Sequence, residues 1–273
     1  MDIFIYNEVL KFYDNKENLF FVDIGANNGK FRSNTYYLEE MYKWEGICVE
    51  ALPYYFNSLR NRRKSFCDNS LVFYNSNKDI YYTKHNFYFN EKIKEYINYH
   101  HDNHNESIKL KTITLNDLLK KYDAPRKINY MTINSKGKEI CILNSVNLKN
   151  YKFLYLSIEH NFTEPRRSNI RDLLEKYGYL YINSIGWYDN YTHEDIINGI
   201  YYLNENINEN KKIEIRRLDK YTFYLVSSCL EFENDICSIN SLEIHWERLD
   251  LTGKVYYDRI DYGNGLVWYK DLT

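Results

Sequence analysis

Cysteine is scarce in this 273-residue chain and forms no motif: Cys48, Cys67, Cys141, Cys229 and Cys237 include no CxxC pair and are odd in number. That usage argues against a disulfide framework and against a zinc site. Long apolar runs are missing, and the opening Met-Asp-Ile-Phe-Ile-Tyr lacks a basic n-region. Neither a signal peptide nor a transmembrane helix is therefore expected, which predicts a soluble, cytoplasmic chain without a membrane partner. An excess of charge of one sign is missing as well. Lys plus Arg number 36 against 38 for Asp plus Glu, a net charge of -2, so no overall basic footprint supports a nucleic-acid partner. Proline occurs three times, alanine is rare, and no internal repeat or low-complexity linker is present. Sequons at Asn105, Asn161 and Asn190 carry no weight without a secretory signal. Tyrosine, at 30 residues, is abundant alongside Asn, Lys and Ile, as an AT-rich coding sequence explains.

The length suits one good-sized core with a small appendage. Leu19 to Ile24 is an apolar run ending in Gly-Ala-Asn-Asn-Gly, the pattern of a buried parallel strand feeding a tight turn. Ser33 or Asn34 caps a predicted helix to about Lys43, with Tyr37, Leu38 and Met41 on one face. Gly46 to Glu50 reads as a second strand, Pro53 opens a second helix with Tyr55, Phe56 and Leu59, and Ser70 to Tyr74 reads as a third strand. The polar stretch from about Asn75 to Glu106 has no clear assignment. A helix fits Asn116 to Lys121 before Pro125, a fourth strand Lys127 to Ile133, a helix Lys138 to Asn144, and a fifth strand Phe153 to Glu159. After Pro165, Ile170, Leu173, Leu174 and Tyr177 follow helical spacing and Gly178 supplies the stop. Tyr179 to Ile185 and Tyr221 to Val226 complete seven strands, the latter after a charged insertion from Asn204 to Arg217. The alternation predicts a doubly wound α/β sheet. Leu242 to Leu249, Val255 to Arg259 and Leu266 to Lys270 resemble three short strands of an antiparallel meander.

Chemistry concentrates first at Gly25-Ala-Asn-Asn-Gly29, where two glycines allow a sharp turn and a close approach to a ligand. Glu50 ends the next strand, some twenty residues on, where an acid accepts hydrogen bonds from ribose hydroxyls. Alone it reads equally as a solvated strand end; with the turn and Asp23 it points to a nucleotide cofactor.

Together Val22-Asp-Ile-Gly-Ala-Asn-Asn-Gly29, Ser33-Asn-Thr-Tyr-Tyr-Leu-Glu39 and Trp44-Glu-Gly-Ile-Cys-Val-Glu50 resemble the FkbM family of methyltransferases. Thr112 to Leu119, Glu159-His-Asn-Phe-Thr-Glu-Pro-Arg166 and Trp187-Tyr-Asp-Asn-Tyr-Thr-His193 are similar as well. The resemblance runs from about Phe20 to His193. It implies a Rossmann-like, seven-stranded, mostly parallel, doubly wound α/β sheet of class I type over 1–228. The small antiparallel β extension over 229–273, read from its own strand and turn pattern, lies outside the resemblance and would pack on it. The resemblance also implies S-adenosylmethionine as cofactor and a hydroxyl acceptor, a small molecule or glycan, since many relatives act on sugars. By that resemblance Asp23, Gly25, Ala26, Asn27, Asn28, Gly29 and Asn34 would line the methionine side of the cofactor. Glu50 would hold the ribose, and Asp68 and Asn69, within Cys67 to Ser70, would lie near the adenine.

One block departs from the family. After strand four the family commonly reads Ile-Asp-Thr-Glu-Gly-x-Glu, whereas this chain has Ile133-Asn-Ser-Lys-Gly-Lys-Glu139. Asn134 holds a hydrogen bond but cannot act as a base, and Lys136 would repel a metal ion. Either the enzyme is slow or inactive, or Lys136 grips an anionic acceptor. Lys136, Glu139 and His193 are the candidate acceptor residues, and Asn134, Glu159 and His160 the candidate catalytic ones. His160 suits a general base by its ordinary pKa, and equally a hydrogen-bonded structural histidine. No metal site is expected: His100, His101 and His104 sit in a polar segment without companion ligands. Arg166 and Arg167 read as a substrate clamp or as exposed first-turn residues. Three functions stay open: an O-methyltransferase, a non-catalytic protein retaining the fold, and, distantly because GxGxxG is absent, another Rossmann enzyme such as an oxidoreductase. The C-terminal strands, with Trp246, Tyr256, Tyr257, Trp268 and Tyr269, suit a homo-oligomer contact, a lid or a glycan-stacking surface, or an ordinary small core.

Overall fold

An amphipathic segment precedes the first apolar run and forms helix α1 (Asp2–Tyr13), whose Val9, Phe12 and Tyr13 are buried. The computed structural model describes residues 2–14, 16–83, 86–89, 108–196, 199–203, 212–217, 222–227, 235–240, 243–246, 251–256, 259–263 and 267–270. The histidines at 100, 101 and 104, and Tyr257, lie outside them. No described helix is long and apolar enough to cross a membrane.

Strand β1 (Phe20–Ile24), helix α2 (Tyr36–Tyr42), strand β2 (Glu45–Val49), helix α3 (Pro53–Arg62) and strand β3 (Phe66–Asp68) follow in order. Ser33 Oγ accepts from the Tyr36 N–H at 3.1 Å, at the start of α2, and Pro53 opens α3 as expected. The buried face of α2 differs from the expectation: Leu38 and Glu39 are buried, while Tyr37 and Met41 are 45% and 65% exposed. Glu39 turns inward because a buried arginine meets it there. The third strand also differs. It is Phe66–Asp68, paired with Ile47–Val49, and the Asp68 carboxylate accepts the Ser70 N–H at 2.8 Å where the strand ends.

Strand β4 (Leu71–Val72) leaves this sheet and joins β5 (Asp79–Thr83), β6 (Asn86–Phe89) and β7 (Ile108–Ile113) in a four-stranded sheet ordered β4-β7-β5-β6. Helix α4 (Leu115–Lys121) is capped by Thr114, whose hydroxyl accepts from the Asp117 N–H at 3.0 Å. Strand β8 (Lys127–Ile133) and the short helix α5 (Glu139–Leu143) come next. Strands β9 (Lys152–Glu159), β10 (Tyr179–Ile185) and β11 (Tyr188–His193) follow, with helix α6 (Arg166–Lys176) between β9 and β10. Ile170 and Leu174 are buried on α6, and Gly178 takes φ +84 just past its end.

Seven strands share one sheet in the order β10-β11-β9-β8-β1-β2-β3. β1 pairs in parallel with β2 and β8, β2 in parallel with β3, and β11 antiparallel with both its neighbours. This is the mostly parallel α/β architecture expected, with two changes of member, the third strand described above and the seventh. The seventh strand is β11, not Tyr221 to Val226. β11 is Tyr-Asp-Asn-Tyr-Thr-His, with no apolar run, yet all six residues are buried because their polar groups are paired internally. Asn190 accepts from Ser157 Oγ at 2.6 Å and donates to Asn183 at 2.9 Å, and Thr192 donates to the Leu154 carbonyl at 2.9 Å.

After Glu194–Ile196 the chain enters β12 (Gly199–Leu203), β13 (Lys212–Arg217), β14 (Thr222–Ser227), β15 (Asp235–Asn240), β16 (Glu243–Trp246), β17 (Leu251–Val255), β18 (Arg259–Asp261) and β19 (Val267–Lys270). Each pairs antiparallel with the next, and β19 pairs with β12, closing an eight-stranded barrel. The three-stranded meander is thus four strands of a barrel that also takes in β14 and the segment read as a charged insertion. Val255, Ile260 and Trp268 are register neighbours and all buried, so Trp268 is a core residue. Closure leaves no open sheet edge.

The chain divides into two compact units, Asn18–Lys152 and Ile3–Glu17 with Phe153–Thr273. In the first, Phe21, Val22, Ile47, Leu59, Leu118, Met131 and Ile142 form the core; in the second, Tyr13, Phe153, Tyr155, Ile158 and Leu174 do.

Candidate functional site

In the unit Asn18–Lys152 the chain leaves β1 through a turn that only glycine can make at both ends. Gly25 and Gly29 have φ of +85° and +82°. A Cβ on Gly25 would lie 2.0 Å from the Asn134 carbonyl oxygen, and one on Gly29 2.8 Å from Leu59 Cδ1. The Gly25 and Ala26 N–H groups both donate to the Val49 carbonyl, at 2.9 and 3.0 Å, tying the turn to the end of β2. Asn27 and Asn28 brace it from within. Asn27 Oδ1 accepts the Asn28 N–H at 2.7 Å, and Asn28 Oδ1 accepts those of Lys30 and Phe31 at 3.1 and 2.8 Å.

Two arginines at the end of α3 hold the turn from outside. Arg62 donates to the Asn28 carbonyl at 3.2 Å, and Arg63 to the Gly29 carbonyl at 3.2 Å. Arg63 is buried and also donates to Glu39 at 2.7 Å, Thr35 Oγ1 at 3.0 Å and Ser33 Oγ at 3.3 Å. Asp23 joins this network through Thr35 Oγ1, which donates to it at 2.6 Å. Burial raises the Asp23 pKa against the pull of Arg63 and the two hydroxyls. Burial also works to raise Glu39, but Arg63, Ser65 and the Lys64 N–H outweigh it and hold the carboxyl below its ordinary value. Asp23 therefore supports the turn from within this network. The sequence carries no local signal that separates Arg63 from its neighbour Arg62.

Glu50 stands at the end of β2, 9% exposed. Its two oxygens accept the Asn27 and Leu52 N–H groups, at 3.0 and 2.9 Å. Burial raises its pKa, while those bonds and the charge of Lys136 pull it down. Each oxygen keeps a second lone pair. Asn34 adds another acceptor: its Nδ2 donates to Thr132 Oγ1 at 3.0 Å, and its buried Oδ1 has no partner. Open acceptors beside a glycine turn fit a ligand that brings hydroxyl or ammonium donors.

Asp68 and Asn69 are placed differently from one another. The Asp68 carboxylate already accepts from Lys121 Nζ at 2.7 Å, Tyr122 OH at 2.9 Å and the Ser70 N–H, so it is a structural anchor. Asn69 donates to the Glu50 and Ala51 carbonyls, at 2.7 and 3.1 Å, which turns its Oδ1 the other way. Asn134 closes against Gly25, its N–H donating to the Ile24 carbonyl at 2.9 Å. Glu139 is a loop former: one oxygen accepts the Ser135 and Gly137 N–H groups and the Ser135 hydroxyl, at 3.2, 2.9 and 3.0 Å. That loop presents Lys136, exposed and at φ +49°.

Glu159, His160 and His193 belong to the other unit. Glu159 is the last residue of β9 and is buried. His160 is 1% exposed, and its Nδ1 accepts the Phe162 N–H at 2.9 Å. The proton therefore sits on Nε2, which faces Asp189 Oδ1 at 3.6 Å. Burial lowers the His160 pKa, with Arg167 and Arg171 adding to that and Asp189 opposing it. With its one lone pair taken, His160 is a hydrogen-bonded structural histidine, and the general-base expectation loses its geometric support. His193 is also buried; its Nδ1 accepts the Asp195 N–H at 3.1 Å and its ring packs edge-on to Tyr179.

The residue that sequence reasoning missed here is Asp189. It takes a two-pronged contact from Arg167, at 2.8 and 2.6 Å, two bonds from Arg171, at 3.2 and 3.0 Å, and one from Ser184 at 2.6 Å. Burial works against its charge, but these donors hold its carboxyl below the ordinary value. Arg167 is thus neither a substrate clamp nor a free surface residue.

Among the described residues, no group of three or more His, Cys, Asp and Glu is arranged to hold a metal ion. No curated protein sequence matches the chain. In structure it is similar to a precorrin-6y C5,15-methyltransferase from Geobacter metallireducens, at 11% identity, over 68% of this chain and 86% of that one, TM-score 0.37. It is likewise similar to a SAM dependent methyltransferase from Aquifex aeolicus, at 15% identity, over 68% and 88%, TM-score 0.34. A human methyltransferase 10 domain containing protein aligns at 11% identity over 70% and 79%, TM-score 0.35. The family model for the methyltransferase FkbM domain matches residues 23–181, more than half of the chain. On that match, which spans the glycine turn, Glu50 and the loop after β8, the chain belongs to the FkbM methyltransferase family.

Proposed function

We propose that this protein binds S-adenosylmethionine and transfers its methyl group to a hydroxyl oxygen of a sugar or glycan precursor, in the cytoplasm and without nucleic acid or a membrane. The observation that carries the reading is Glu50: a buried carboxylate at the strand end, fixed by two backbone N–H groups, with a lone pair left on each oxygen. The ribose diol supplies the matching donors, and the ammonium of the methionine portion matches Asn34 Oδ1. The bound cofactor supplies an electrophilic methyl group for in-line displacement by the acceptor oxygen. Within the chain, the Gly25–Gly29 turn leaves room for close approach and Asn69 fixes the end of β2. Asn134, at the carboxyl end of β8, is suited to orient a hydroxyl by hydrogen bonding. Such alignment supplies most of what a displacement at carbon needs.

A second reading, a protein that binds the cofactor without turnover, is favoured by one feature. The loop after β8 offers an amide and an ammonium, Asn134 and Lys136, where a base would accept the acceptor's proton. Calorimetric titration with S-adenosylmethionine and S-adenosylhomocysteine, on the parent and on Glu50→Ala, tests the proposal. Binding that is lost in the variant supports it; no binding by the parent overturns both readings. A product assay over phosphorylated and neutral sugars then separates turnover from binding alone.

A further inference from the structure

Because β1, β2, β3 and β8 run parallel, their carboxyl-end loops come to one edge of the sheet. The charges on those loops are one-sided. Lys30 and Arg32 follow the turn after β1, and Lys136 and Lys138 follow β8. The loop after β2 has only Glu50, buried and bonded to backbone, and Asn69-Ser70 after β3 has no charge. At the opposite ends the charges are mixed, with Glu45 opening β2 beside Lys43 and Asp123 in one connection with Arg126, although Arg63-Lys64 before β3 is cationic. In a chain of net charge -2, a rim whose exposed charges are all cationic is a local feature rather than a consequence of composition.

The loops of the rim are braced from within. Glu139 fixes the loop that carries Lys136, and Asn28 fixes the backbone of Lys30. Lys30 and Arg32 rest over the rings of Tyr36 and Phe31, each at 5.3 Å. No acidic side chain among the described residues forms an ion pair with Lys30, Arg32 or Lys136. The two loops adjoin, since the Asn134 carbonyl blocks the Gly25 Cβ position and Lys136 acts on Glu50, which holds the Asn27 N–H. Three exposed cations exceed what the single carboxylate of the methyl donor would need, because its own ammonium accompanies that carboxylate. A phosphate group carries the charge and the acceptor oxygens to engage them.

We infer that the hydroxyl acceptor bears phosphate, as a sugar phosphate or nucleotide sugar does, and that Lys30, Arg32 and Lys136 receive it. This rests on the methyltransferase reading above and names its substrate class. The test is calorimetry of the full chain loaded with S-adenosylhomocysteine, titrated at low salt with glucose 1-phosphate, inorganic pyrophosphate and glucose. Glucose 1-phosphate and pyrophosphate bind and glucose does not. Lys136→Gln weakens the two phosphates by about tenfold, while S-adenosylhomocysteine affinity stays within about twofold. Raising the salt shrinks the difference. Equal binding of glucose and glucose 1-phosphate overturns the inference, as does no change in Lys136→Gln, or a loss confined to S-adenosylhomocysteine. Co-sedimentation with anionic phospholipid vesicles in the absence of glucose 1-phosphate binding also overturns it, in favour of a lipid headgroup. If the parent binds glucose 1-phosphate but no S-adenosylhomocysteine, the methyl-donor reading fails while the anion site stands.

Discussion

Glu50 and Asp189 are both buried carboxylates near strand ends, one in each unit of the chain, and their partners set them apart. Asp189 is surrounded by side-chain donors: Arg167, Arg171 and Ser184 occupy its oxygens, and its pKa is held down. Glu50 has two backbone N–H groups, no bonded cation and a pKa that burial has raised. A saturated acid contributes to folding and has nothing left to offer a ligand. An acid that keeps lone pairs inside a low-dielectric site holds less of its charge energy in the fold and more in reserve for binding. Asp68, occupied by Lys121, Tyr122 and Ser70, falls with Asp189.

Asp189→Ala is the largest expected break in this comparison. It strands two guanidinium groups. Full burial would make such a loss cost about 3–5 kcal/mol. Arg167 and Arg171 are 21% and 37% exposed in their side chains and partly rehydrate, so about 2–3 kcal/mol is expected. Thermal denaturation should show Tm lower by roughly 4–12 °C. A shift under about 1 °C would mean that the network contributes little to the fold. Glu50→Gln is the opposite case. Stability should stay within about 1 kcal/mol of the parent, while S-adenosylhomocysteine affinity falls by about 10–100-fold, the range for hydrogen bonds to a charged group. A variant that unfolds instead would place Glu50 with Asp189 as an anchor.

The pH dependence sharpens the contrast, because the two shifts have opposite signs. Asp189 is lowered from its ordinary 3.8, so its stabilisation is fully present above that pH and is lost as pH falls through the folded value. Asp189→Asn should flatten that acid limb of a urea-midpoint profile. Glu50 is raised from 4.5, so the fold favours its neutral form, and its contribution is lost as pH rises from 4.5 through the folded value. Glu50→Gln should therefore gain slightly on the parent toward neutral pH. Profiles that move the same way in both variants would remove the distinction.

What the sequence made legible follows the same line. β1, β2, β8, β9 and β10 are apolar runs that must be buried, and the glycine turn with Glu50 downstream follows from spacing. β11 was missed because its burial rests on pairing between Asn190, Ser157 and Asn183 and between Asp189 and two arginines, none of which hydropathy registers. The barrel was missed because strands of three to six residues, such as Arg259–Asp261, leave too short a pattern. Arg63 reaches Gly29, Thr35 and Glu39 only in three dimensions, so position in the chain could not reveal it. His160 was legible as a histidine at a strand end, but its role depended on which hydrogen its Nδ1 accepts.

His160→Gln gives the smallest expected effect and tests that last point. A glutamine carbonyl can accept the Phe162 N–H and its amide can face Asp189, so both contacts survive in kind. At pH 7.5 the loss of stability should stay within about 1 kcal/mol, since both states of the parent histidine are then neutral. The folded pKa lies below the ordinary 6.5, so the parent loses stability as pH falls from 6.5 through the folded value. The glutamine variant lacks that limb, and the two urea-midpoint curves should converge as pH falls through this window. Histidine NMR titration of the parent provides the independent reading: an imidazole resonance that titrates below 6.5, and lower still in Asp189→Asn, because Asp189 is the larger of the two charges that raise it. An imidazole titrating above 6.5 would mean that it carries charge in the fold, and the neutral Nε2–H assignment would have to be given up.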